Sequence, residues 1–186
     1  MDTHAQKNTE QGFTLIEFIV IMIIFSIMAS VSLFNFTGFR NETMLSNLAH
    51  DLALTIRQVQ VAGSSAVGDA GAARGIFFEY DSDGFSNTFI IFNDTNNTGL
   101  YDVGSDTIVN ELTIASEDRI TILDDNDTPI NQDLSIVFRR PNPTAYMSTA
   151  LSSDLQGITI RIASQNDTDR SKDIIIRRSG FIYVVE

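Results

Sequence analysis

Apolar residues along the 186-residue chain fall into three regimes. Residues 1–12, MDTHAQKNTEQG, hold no hydrophobic run, whereas Phe13 to Phe39 is almost wholly apolar. Glu17 is the one charge in that stretch, and the 22 residues from Phe18 to Phe39 carry none. At a helical rise of about 1.5 Å per residue this run spans roughly 33 Å, one hydrocarbon core. No proline interrupts it, and Ser26, Ser30 and Ser32 are tolerated in a membrane helix. A cleavable secretory signal has a shorter apolar stretch, about 7–15 residues, after a positive start. The longer run with a carboxylate near its head therefore predicts a transmembrane helix over residues 13–39. Lys7 and Arg40 flank it evenly, so the basic residues do not set its orientation.

Beyond Arg40 the period stays helical. Leu45, Leu48, Leu52, Ile56 and Val59 recur at spacings of three and four and form one apolar stripe. Asn47, His50, Asp51, Arg57 and Gln58 mostly lie off it. Residues 40–62 thus read as the amphipathic half of the same helix, about 75 Å long in all. Gly63 and the small, glycine-rich residues after it predict a helix end and a flexible linker over 63–74.

From Gly75 the period becomes strand-like. GIFFEY, TFIIF, TIVNELTI, RITIL, LSIVFRR, GITIRIA, DIIIRR and FIYVVE are short runs rich in Ile, Val and Phe. Turns such as DSDG, NDTNNTG, DDNDTP and SQNDTDRS separate them. Residues 75–186 therefore predict a β-rich head, built as one antiparallel sheet or as a sandwich of two. The fold class is α+β: a long N-terminal helix followed by that head.

Composition narrows the function. Lys and Arg number 12 against 24 Asp and Glu, a formal charge of −12 that disfavours nucleic acid and anionic lipid headgroups as partners. Cysteine is absent, which removes disulfide scaffolds, thiolate zinc sites and cysteine nucleophiles. A Ser-His-Asp triad would rest on His50, which sits mid-helix beside Asp51 and reads as a surface or packing residue. Asp124 and Asp125 lie in a turn and do not suggest a glycosidase dyad. Arg139, Arg140, Arg177 and Arg178 suggest a basic strip across neighbouring strands, either ordinary surface charge or a contact for acidic loops of adjacent subunits. No enzymatic chemistry is expected of the chain.

The most informative string is Gly12-Phe13-Thr14-Leu15-Ile16-Glu17, followed at once by the membrane-length run. It resembles the processing site of type IV prepilins and type II secretion pseudopilins. In that family a polar leader is cut after Gly by a membrane peptidase, the new N-terminal residue is N-methylated, and the fifth mature residue is Glu. The resemblance implies a leader over 1–12, cleavage between Gly12 and Phe13, methylation of Phe13 and an assembly role for Glu17. It further implies a single-pass subunit of the inner membrane, with its head in the periplasm or on an extracellular fibre. The implied partners are other pilin-like subunits, the prepilin peptidase and an inner-membrane assembly platform.

LSNLAHDLALTIRQVQVAG is similar to the amphipathic half-helix of H-type minor pseudopilins and minor pilins, and KDIIIRRSGFIYVVE to their closing hairpin. The apolar run lacks the proline of many major pilins, and the chain lacks their paired cysteines, which favours a minor pilin or pseudopilin. A second reading is a tip adhesin or ligand-binding module. For it, Asp94, Asn96, Thr98 and Asp102 are candidate calcium ligands around Gly99, although Ser105 stands where a bidentate Glu is expected.

Overall fold

The structure, a computed structural model, describes residues 12–65, 73–82, 84–114, 118–152, 155–164 and 167–185. The leader expected over 1–12 thus lies outside the described residues except for Gly12. Among the described residues one helix, α1 (Leu15–Ser64), is followed by nine strands. The chain divides into two compact units, Met1–Asn41 and Glu42–Glu186.

In the first unit the apolar stretch Leu15–Ser32 is long and apolar enough to cross a membrane, and none of its residues is buried. Two of its serines return their hydroxyls to the helix: Ser26 donates to the Met22 carbonyl and Ser30 to that of Ser26, both at 2.8 Å. This satisfies the hydroxyls internally, as a hydrocarbon environment demands.

In the second unit the predicted stripe is the buried face of α1. Leu45, Leu52, Ile56 and Val59 are buried, together with Ala49 and Ala53, whose small side chains let the helix approach the sheet; Leu48 is half-buried. Burial of each large side chain contributes roughly 1.5–3 kcal/mol. Gly63 does not end the helix as expected. It sits in the last turn, where an added Cβ would lie 2.6 Å from the Phe138 carbonyl oxygen.

The strands are β1 (Ala73–Asp81), β2 (Gly84–Asp94), β3 (Thr107–Thr113), β4 (Arg119–Asp124), β5 (Leu134–Phe138), β6 (Ala145–Thr149), β7 (Gly157–Ser164), β8 (Asp167–Arg177) and β9 (Ile182–Val185). They form one antiparallel sheet in the order β6-β5-β1-β2-β4-β7-β8-β9, with β3 also on β2. Of the two layouts left open by the sequence, the single connected sheet is the one observed. It is loosest at β2, which among the described residues pairs with β4 only through Phe85 and Ile120, while β3 occupies residues 88–93 of the same edge. Inward residues stack in cross-strand pairs such as Ile122 with Ile160 and Ile160 with Ile174, and they close on α1 as one core.

Two features depart from the sequence reading. Strand β6, AYMST, was not expected, and β8 begins at Asp167, inside the predicted turn SQNDTDRS. In addition, β3 is a strand as expected but is mostly exposed, with Leu112 alone of its residues half-buried against the core.

The two ends of the sheet meet. Ala145, starting β6, donates its amide to the Arg178 carbonyl beyond β8 at 2.9 Å. Gln60 of α1 bridges the same seam, donating to the carbonyls of Pro143 (3.0 Å) and Gly180 (2.7 Å). Arg57 donates to the Ile182 carbonyl at 2.7 Å. Gly180 takes φ +86°, and a Cβ there would collide with the Pro143 carbonyl, so only glycine fits.

Candidate processing and assembly site

The helix begins at Leu15, which makes Thr14 its N-cap residue and Glu17 its third residue. The Glu17 amide donates to Thr14 Oγ1 at 3.4 Å, and the Glu17 carboxylate accepts from the Thr14 amide and hydroxyl, both at 3.5 Å. This is a capping box, in which two orphan amides of the helix start satisfy each other's side chains. The carboxylate also lies where the helix dipole favours negative charge. Thr14 was missed by the sequence reading, though the Thr-x-x-Glu spacing before an apolar run was there to signal it.

Gly12 and Phe13 precede the helix. Phe13 is 81% exposed, and nothing described lies within 4 Å of a Cβ built on Gly12. The peptide bond between them thus lies in non-helical chain. Gly12 and Phe13 directly precede the Thr14–Glu17 capping box along the chain.

The expected calcium set also converges, but on protein donors. Asp94 is fully buried; it accepts the amides of Thr98 (3.1 Å) and Gly99 (3.0 Å) and an ion pair from Arg139 at 2.9 Å. Asp102 accepts from the Asn96 amide group and the Thr98 hydroxyl, both at 2.9 Å. These two bonds, Asn96 first, hold the Asp102 carboxyl below the usual carboxylate range. Asp106 closes the loop by accepting the amides of Thr95 and Asp102 at 2.9 Å each. A cation at Asp94 would have to displace a guanidinium. Among the described residues no three His, Cys, Asp or Glu side chains are placed to hold a metal.

The basic strip is not formed across neighbouring strands. Arg139 follows β5 and lies over the Tyr146 ring at 5.2 Å, while Arg177 ends β8 and pairs with Asp125 at 2.6 Å. That pair crosses directly over Gly157, where a Cβ would strike the Asp125 carboxylate. Asp124 accepts the backbone amides of Thr128 and Asn126, both at 2.8 Å, which in that order lower its carboxyl from the ordinary value. Both acids are turn-builders. His50 is exposed on α1, its Nδ1 2.8 Å from the Ser46 carbonyl.

One family model matches the chain: the prokaryotic N-terminal methylation motif, over residues 7–33. The match covers the processing string and most of the apolar run, and it supports a type IV pilin-like, prepilin-type protein with a membrane-anchoring N-terminal helix. No curated protein and no solved structure matches the chain significantly.

Proposed function

We propose that the chain is a structural subunit of a type II secretion pseudopilus or type IV pilus, of the H-type minor class. The observation that carries this reading is the Gly12-to-Glu17 string, which runs from exposed, non-helical Gly12–Thr14 into the first turn of a membrane-length apolar helix, within the matched methylation motif. In this reading a prepilin peptidase cuts after Gly12 and the new amine on Phe13 is methylated. The subunit waits in the inner membrane with its head in the periplasm, and an assembly platform then draws it into a fibre.

Glu17 supplies the register. A carboxylate held at membrane depth costs roughly 2.5–3.5 kcal/mol at the bilayer centre. Cleavage places a cationic amine one helical turn away, on Phe13. Inside a bundle of apolar helices an unpaired charge is strongly disfavoured, so subunits stack where each Glu17 meets an amine. The capping box supports this role, because it orients the carboxylate toward the helix start.

The test is mass spectrometry of the protein from its native host together with a Glu17→Ala variant. We expect an N-methylated Phe13 terminus in both, and loss of the variant from fibres with its membrane insertion intact. A different N-terminus, or a variant that enters fibres as the parent does, overturns the proposal.

A further inference from the structure

A cleft of about 420 Å³ opens on the outer face of the sheet, within the roughly 300–1,000 Å³ of ligand sites. Its floor is apolar: Phe77 of β1 and Ile90 of β2, directly paired across the strands. Its wall is Tyr101, whose ring packs 4.9 Å from Phe77 and 5.1 Å from Phe92. The wall is pinned, since the Tyr101 amide donates to Ser135 Oγ at 3.0 Å and the loop before it is held by Asp94 and Arg139. The cleft therefore exists before any ligand arrives.

Its charges have one sign. Glu79, Asp102 and Asp133 line it, and no Lys or Arg does. Two of these carboxylates are fixed by one oxygen each: Asp133 Oδ1 accepts the Tyr80 amide at 2.8 Å, and Asp102 Oδ2 accepts Asn96 and Thr98. Asp133 Oδ2, Asp102 Oδ1 and both oxygens of Glu79 make no hydrogen bond among the described residues. An apolar aromatic slot edged by carboxylate oxygens of fixed position suits a flat, weakly hydrated cation.

We infer that this cleft receives an arginine side chain presented by a partner polypeptide. A guanidinium stacks on aromatic faces and donates in a planar fork to carboxylates, whereas a lysine ammonium is a strongly hydrated point charge. Free arginine is disfavoured because its own α-carboxylate would face three others. Val103, 87% exposed on the rim, offers an apolar shoulder to the residues flanking the arginine. The inference goes beyond fibre assembly and does not depend on it.

The test is an NMR titration of the full chain in detergent micelles with N-acetyl-arginine methylamide, and with the neutral isostere N-acetyl-citrulline methylamide and free arginine as controls. We expect saturable shifts at the amides of Glu79, Val103 and Asp133, and binding about tenfold weaker for either control. Glu79 is exposed and unpaired among the described residues, so Glu79→Gln keeps the fold and weakens binding by a similar factor. No saturable shift at these residues, equal binding of citrulline or free arginine, or an unchanged affinity in Glu79→Gln each overturns the inference.

Discussion

Breaking the Asp94–Arg139 pair leaves a carboxylate that is fully buried and no longer opposed by a cation. Such a loss costs about 3–5 kcal/mol, whereas replacing both partners by neutral groups costs less. Arg139→Met should therefore lower the thermal midpoint sharply, and adding Asp94→Asn should restore part of it; calorimetry of the single and double variants measures the difference. Gly180 gives a second single-residue test. Gly180→Ala incurs the left-handed backbone cost of about 1–3 kcal/mol and meets the Pro143 carbonyl as well. Gly104, at φ +90° with nothing within 4 Å, is the control: Gly104→Ala incurs the backbone cost alone, so denaturant midpoints should separate the two. Residue roles were legible only where they were local. Gly12, Phe13 and Glu17 lie within one short string, but nothing in the sequence near Asp94 announces Arg139, 45 positions away.

At the scale of elements, legibility followed periodicity. The α1 stripe was readable because Leu45, Leu52, Ile56 and Val59 repeat at the helical period and no tertiary contact contradicts it. Strand β6 was missed because its buried positions include Ala145, Ser148 and Thr149, too small or too polar to register as an apolar run. Strand β8 reaches back into a polar stretch because β7 pairs with it there, Ile162 opposite Lys172 and Ala163 opposite Ser171. Pairing overrode composition. The acidic turns carry their own prediction. Asp102 and Asp124 have folded-state pKa values below their unfolded ones, near 3.9, because their carboxylates accept hydrogen bonds. Their contribution to stability is complete above the unfolded value and disappears as pH falls through the folded one. Thermal midpoints should thus drop as pH is taken below about 4, and the drop should be shallower in Asp124→Asn.

At the scale of the whole molecule, the long helix and the β-rich head were both legible, but the closure of the sheet was not. Eight of the nine described strands were visible as apolar runs, yet their order and the meeting of Pro143 with Gly180 depend on contacts between distant segments. The clasp made by Gln60 and Arg57 has a mechanical consequence. A load drawn along α1 cannot peel its Glu42–Ser64 portion away turn by turn. It must shear the whole buried stripe past the sheet while Gln60 holds both margins of the seam and Arg57 holds the β9 margin, so the joint resists tension until it yields at once.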